Sequence, residues 1–231
     1  MKNAIPGGYN HDQVWTVTNG IFPSNCYLCA TEVPGECFIV DPGLDPSPIE
    51  AALAELALVP RAILCTHGHF DHIGSAAYFC ERYACPVYLH ANDLKTLRSS
   101  NFLLMAFKVP ARVVIPNITQ LAGERAEIAV GGGCVRFHAT PGHTPGSCVI
   151  EYGPSLFTGD TLYSRGVGLS RLPGENSKQL RQSILALWNQ FPDDMMVWPG
   201  HGESSELGAI KSGNEPLIRF LHSETIALSS S

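Results

Sequence analysis

Residues 66–74 read Thr66-His67-Gly68-His69-Phe70-Asp71-His72-Ile73-Gly74, and they set four metal-type side chains, His67, His69, Asp71 and His72, within six positions. Interior contacts give no reason to crowd three imidazoles and a carboxylate together, whereas these groups are the usual ligands of zinc-like ions. His67 and His69 are two apart, so in an extended segment they point the same way. Asp71 and His72 follow in a turn that feeds a helix, and a bend there would face the second pair toward a different ion. The spacing is not H-E-x-x-H, in which helical i, i+4 histidines serve a single ion.

Working outward, residues 62–65 form a short apolar strand that ends where the cluster begins. In layered α/β folds, sites collect where strands end and loops start. Upstream, residues 13–17, 25–30 and 37–40 are rich in β-forming types, and Asp41-Pro42-Gly43 marks a turn. Asp41 either orients a ligand imidazole from behind or is a simple turn aspartate. Ser47-Pro48-Ile49-Glu50 combines a capping box with an early proline, which predicts a helix over 47–58. Downstream, helices are expected at 74–83 and 91–99, with a strand at 87–89. Residues 100–123 are apolar but irregular. They read as core-lining helix, with a substrate-covering loop as the alternative.

The second half repeats the strand-rich style. Residues 127–130 and 135–138 flank Gly131 to Gly133, and residues 147–151 and 155–157 flank Gly153-Pro154, so two hairpins are expected. Asn176 or Ser177 caps a helix carrying Leu180, Ile184, Leu187, Trp188 and Phe191 on one face. Residues 196–198 read as the last strand, helical turns follow over 206–222, and the tail Ser229-Ser230-Ser231 reads as frayed. Two mixed sheets packed face to face, with helices outside, fit this order. No linker-like stretch separates the halves, so residues 1–231 read as one domain.

Three further segments carry matching chemistry: Thr140-Pro141-Gly142-His143-Thr144-Pro145-Gly146-Ser147, Thr158-Gly159-Asp160-Thr161 and Pro199-Gly200-His201-Gly202. Each offers a ligand beside glycine, which permits tight turns and close approach. The remaining histidines, His11, His90, His138 and His222, carry no motif and read as non-ligands. No G-x-S-x-G, no P-loop and no strand-led G-x-G-x-x-G occurs, which argues against serine hydrolases and nucleotide cofactors.

Bulk properties narrow the class further. The 231 residues carry a net charge of −6 and no Lys/Arg-rich run, which disfavours nucleic acid as a partner. No apolar run approaches the ~18 residues of a membrane span and no signal-peptide pattern opens the chain, so a cytoplasmic protein is expected. The eight cysteines then read as packed free thiols. Cys26 and Cys29 form a C-x-x-C on a strand, where odd spacing puts them on opposite faces, unlike a zinc knuckle or redox pair.

Taken in order, T-H-x-H-x-D-H, P-G-H-T-P-G-S, T-G-D and P-G-H-G resemble the metallo-β-lactamase superfamily, and most nearly its glyoxalase II (hydroxyacylglutathione hydrolase) branch. The resemblance spans roughly residues 13–220. It implies an α/β (α+β) architecture, an αββα sandwich with a dinuclear site at one edge. It further implies that His67, His69 and His143 bind one ion, that Asp71, His72 and His201 bind a second, and that Asp160 bridges them. The cofactors expected are two divalent metal ions, zinc first, with iron or manganese as alternatives. A shared hydroxide would then attack an acyl carbon, and Asp71 would receive or relay a proton as the intermediate collapses.

The expected reaction is thioester hydrolysis, because a thiolate leaves without a strong general acid. The substrate would be an acyl group on glutathione, coenzyme A or an acyl carrier protein, and the protein a monomer or dimer. The full-length glutathione enzymes carry a C-terminal helical domain, whereas this chain ends at Ser231, 30 residues past His201. They also place a lysine and a tyrosine after the bridging aspartate, where Leu169 and Arg171 stand here. Arg171 reads either as an anion contact or as a surface salt bridge. Tyr163 reads as core packing, with site lining as the alternative. Competing expectations are a one-iron persulfide dioxygenase, whose last motif usually has alanine before the histidine, a lactonase, and a non-catalytic module with ligands lost.

Overall fold

The computed structural model describes residues 13–19 and 22–223. Six strands form the first sheet in sequence order: β1 (Val14–Thr18), β2 (Asn25–Ala30), β3 (Glu36–Val40), β4 (Val59–Leu64), β5 (Val87–His90) and β6 (Ile118–Leu121). The first three pair antiparallel and the rest join in parallel. The second sheet runs β12-β11-β10-β9-β8-β7, from β7 (Arg125–Val130), β8 (Gly133–Ala139), β9 (Cys148–Tyr152), β10 (Ser155–Gly159), β11 (Met196–Pro199) and β12 (Ser205–Glu206). Only β10 and β11 are parallel in it.

Strand alternation sorts side chains into layers. Tyr27, Cys29, Phe38, Val40, Ala62 and Leu64 of the first sheet meet Val135, Phe137, Ile150 and Phe157 of the second between the sheets. Their neighbours Cys26, Leu28, Cys37, Ile39, Ile63 and Cys65 face outward onto helices. Those helices are α1 (Ser47–Leu56), α3 (Ala76–Tyr83) and α4 (Leu94–Ala106); the short α2 (Phe70–Ile73) lies between the first two in sequence. On the far side, Val149, Leu156 and Val197 pack against α5 (Ser177–Gln190), α6 (Leu207–Gly213) and α7 (Glu215–His222). The result is the expected αββα sandwich. Strands buried on both faces read as continuous apolar runs rather than alternating ones.

Both predicted hairpins form, as β7–β8 and β9–β10. Asn176 caps α5 by accepting the backbone N–H groups of Lys178 and Gln179, each at 3.1 Å. Cys26 and Cys29 lie in different layers, as their odd spacing requires.

Several expectations need correction. Ser47 makes no capping-box bond. Asp45 accepts its backbone N–H at 2.9 Å instead, and α1 stops at Leu56 because Ala57 turns left-handed. Residues 100–123 extend α4 to Ala106 and then add β6, a strand too short and too polar on its exposed face to stand out in sequence. The strand at 196–198 is not the last, since β12 follows it. Of the eight cysteines, Cys134 is exposed. His11 and the 229–231 tail lie outside the described residues. Among the described residues, no helix is long and apolar enough to cross a membrane.

Candidate metal centre

The seven predicted ligands converge from loops that follow four strands, β4, β8, β10 and β11. After β4 the chain stays extended to His69, whose φ and ψ are −71° and 149°, and then enters α2. That change of backbone divides the cluster as the spacing suggested. His67 Nε2 and His143 Nε2 each lie 3.0 Å from His69 Nδ1. One ring proton could serve only one of those two contacts, whereas one cation serves all three nitrogens. Nitrogens ~2.0–2.1 Å from a tetrahedral ion sit about 3.3 Å apart, close to the separations found.

Asp71, His72 and His201 form the second group. Asp71 Oδ2 lies 3.7 Å from His72 Nε2 and 3.5 Å from His201 Nε2. Asp160 stands between the groups and divides its oxygens. Oδ2 is 3.3 Å from His143 Nε2, while Oδ1 is 3.3 Å from His72 Nε2 and 3.6 Å from His201 Nε2. Among the described residues, neither His72 Nε2 nor Asp160 Oδ1, both buried, has a hydrogen-bond partner. Two such orphaned atoms facing one another are costly unless a cation satisfies both.

The outer ring nitrogens fix which atoms face inward. His143 Nδ1 contacts the Gly168 carbonyl at 3.1 Å, and His201 Nδ1 contacts the Pro23 carbonyl. A carbonyl oxygen only accepts, so these ring protons are assigned outward and the Nε2 lone pairs inward. His72 Nδ1 donates to Asp41 Oδ2 at 2.9 Å. The Thr66 hydroxyl donates to the same oxygen at 2.6 Å and stands 3.1 Å from His67 Nδ1, which leaves it as acceptor for the His67 proton. Asp41 therefore orients two imidazoles, one directly and one through Thr66. This settles its open role. Asp41, His67 and His72 also lie close enough to form a ligand group of their own. However, the Asp41 oxygens already accept from His72, the Thr66 hydroxyl and the Thr66 backbone N–H at 2.8 Å, so the aspartate supports the centre from behind.

Electrostatics differ between the groups. Burial and neighbouring imidazoles push His67 well down and His69 to about 4, which keeps both neutral with lone pairs to donate. Burial pushes His72 and His201 down too, but Asp160 and Asp71 outweigh it, raising His72 well above its usual value and His201 to about 10. Burial opposes ionisation of Asp160, yet the surrounding imidazoles, His72 foremost, overcome it and hold the carboxyl well below the usual range. A negative field that attracts protons this strongly attracts a divalent cation as well.

Two glycines make room for these contacts. A Cβ on Gly200 would collide with Asp160 Oδ1 and stand 2.6 Å from His72 Cε1. Gly159, at φ +48°, takes the left-handed turn that aims Asp160 inward.

A cleft of about 300 Å³ opens beside the centre and includes His69, Asp71, His143, Asp160 and His201 in its walls. Tyr163 lines it too, 6.0 Å from the His201 ring, which corrects the core-packing expectation. Burial and the Asp160 charge push the Tyr163 phenol well up, so it keeps its proton. Leu169 also lines the cleft, whereas Arg171 lies exposed outside it with its backbone N–H donated to Glu175. A larger groove of about 1100 Å³ runs along α5 and holds none of the seven residues. His90 and His138 line that groove, bound to the Gly123 carbonyl and to Glu151, and His222 is exposed on α7.

Some residues around the centre carried no motif, although the substrate-covering alternative for 100–123 included Phe107. Asp93, wholly buried on the turn before α4, accepts the Gly68 and Gly146 backbone N–H groups and the Thr144 and Thr96 hydroxyls. It ties the His67–His69 loop to the His143 loop. Phe22 and Phe107 wall the cleft from segments with no motif.

The family profile described as Metallo-beta-lactamase superfamily matches residues 19–201. A Mycobacterium tuberculosis protein, Rv2581c, of uncharacterized function, is 33% identical over 213 residues, covering 84% of this chain and 93% of that one. A hydroxyacylglutathione hydrolase of Anaeromyxobacter dehalogenans is 35% identical over 182 residues, covering 79% of this chain and 63% of that longer protein. The crystal structure of TTHA1623 in a di-iron-bound form superposes with a TM-score of 0.77 at 32% identity, covering 87% of this chain and 99% of the other.

Proposed function

The chain belongs to the metallo-beta-lactamase superfamily, and from that membership we propose that this metallo-hydrolase cleaves an acyl thioester at a centre of two divalent cations. His67, His69 and His143 would hold one ion, Asp71, His72 and His201 the other, and Asp160 would bridge them. The observation that carries the assignment is the division of the Asp160 oxygens between the two groups, with Oδ1 and His72 Nε2 both orphaned. Five imidazoles and two carboxylates suit zinc, and iron or manganese accept the same donors. The presence of His201 in the second group favours two ions over the single iron of an oxygenase.

When bound, such ions supply an acidified water as nucleophile and a Lewis acid for the acyl oxygen. The side chains do the rest. Asp71 faces the cleft, and although burial opposes its charge, His72 and His201 hold its carboxyl below the usual value. It is therefore an anionic base able to take a proton as the acyl–sulfur bond breaks. The Tyr163 phenol, protonated and on the cleft wall, can donate to an oxygen of the substrate. The Tyr163 phenol, pushed well up, is only a weak acid for a poor leaving group. A thiolate needs none.

Metal quantification followed by a panel of lactoylglutathione, acyl-coenzyme A and acyl carrier protein tests the reading. Two ions per chain with turnover of at least one thioester is expected. A fully metallated protein inert toward all three refutes it.

A further inference from the structure

We propose that the cleft beside the metal centre selects a substrate with an apolar chain and holds that chain against Phe22, Phe107, Leu169 and Leu172. The proposal rests on the hydrolase reading above for what is cleaved, and adds what is recognised. Among the described residues, the cleft walls contain no ionisable side chain apart from the centre's own His and Asp residues except the Tyr163 phenol. Three of the wall residues pack as one aromatic cluster. The Phe22 ring is 5.1 Å from Phe70 and 5.9 Å from Phe107, and Phe70 and Phe107 are 6.1 Å apart. Phe70 itself is buried, so the open surface of this cluster comes from Phe22 and Phe107. Phe107 keeps 47% of its surface exposed and Leu169 keeps 44%. Large apolar groups left open on the rim of a reaction centre are an unmet demand for an apolar partner.

Further exposed apolar side chains stand on either side of Phe107 in the sequence. Phe102 and Met105, on the last turns of α4, are 65% and 69% exposed. Asn101 pins Val113 with two hydrogen bonds of 2.9 and 2.8 Å, which lays the segment after Phe107 back along that end of α4. Exposed Val114 and Ile115 follow on it. A small hydroxylated acyl group would gain less from these walls, where apart from the metal centre only Tyr163 and Ser170 offer its hydroxyl a side-chain partner.

Binding is read by calorimetry on the metal-loaded protein with S-butyl, S-hexyl and S-octyl thioethers of N-acetylcysteamine, which cannot hydrolyse, beside the S-2-hydroxypropyl thioether. Affinity should rise about fourfold per buried methylene until the walls are covered. The hydroxypropyl compound should bind more weakly than the butyl one. Phe107→Ala, a change at a half-exposed position, should cost the octyl compound about tenfold and the butyl compound less. A flat series, tightest binding by the hydroxypropyl compound, or an unchanged slope in Phe107→Ala overturns the proposal. Hydrolysis of the matching thioesters is scored separately. Graded binding without turnover refutes the thioester reading and leaves the apolar cleft standing.

Discussion

Asp41 holds a φ of +49°, a conformation uncommon outside glycine but tolerated by aspartate and asparagine. From there its carboxylate reaches both Thr66 and His72, so Asp41→Asn keeps the backbone while removing the charge that makes it a strong acceptor. Metal affinity should fall about 10–100-fold with the fold intact, the usual cost of losing an orienting partner; titration against a metal-buffering chelator measures it, and unchanged affinity would contradict the role. Gly200→Ala is the sharper steric case, because the new Cβ would intrude on Asp160 Oδ1 and His72. It should leave one ion per chain rather than two, as counted by elemental analysis. Asp160→Ala should lower metal content and activity together, and full activity with both metals kept would contradict the bridge. The convergence of the seven candidate ligands was legible because imidazoles and carboxylates at strand ends have few other reasons to cluster. Asp93 and Thr66 were not, since a buried carboxylate serving four hydrogen-bond donors looks in sequence like any aspartate before a helix.

Elements were legible where local chemistry and tertiary demand agree. Asn176 caps α5 because its side chain reaches two free backbone N–H groups while its own N–H donates to the Gly142 carbonyl at 2.7 Å, tying the helix start to the His143 loop. Ser47 and Glu50 match a capping box equally well on paper. Yet Asp45 captures the Ser47 N–H, and the Glu50 carboxylate turns to Tyr83 and Arg82 on α3. β6 escaped notice for a similar reason: its pairing with β5 is a tertiary event that four residues with two exposed polar side chains do not announce. Asn176→Ala removes only the side-chain bonds, so it should cost about 1 kcal/mol of stability. Denaturant unfolding would register that loss, and metal content should stay unchanged because the backbone link to Gly142 remains.

At the level of the molecule, the centre joins two sheets. His67, His69, Asp71 and His72 leave the first sheet, while His143, Asp160 and His201 leave the second. Backbone bonds already cross there, from Cys148 N–H to the Thr66 carbonyl and from Asn25 N–H to the Gly200 carbonyl, each at 2.8 Å. Those bonds hold the loops near one another, and the orphaned His72 and Asp160 atoms then raise the cost of the metal-free state. Ions bound between the sheets favour only the folded chain, because the seven groups are spread from residue 67 to residue 201 and cannot gather when unfolded. At free metal 100-fold above Kd, the gain is about 2.7 kcal/mol per site, which for a chain of this size raises Tm by roughly 5–10 °C. Dialysis against a chelator, which removes both ions, should therefore lower Tm by roughly 10–20 °C, and adding zinc should restore it. Asp160→Ala should blunt the response, since each ion loses a ligand, whereas Asn176→Ala should show the full rise from a lower starting point. A Tm that ignores chelation in the unsubstituted protein would mean that these seven side chains hold no ion.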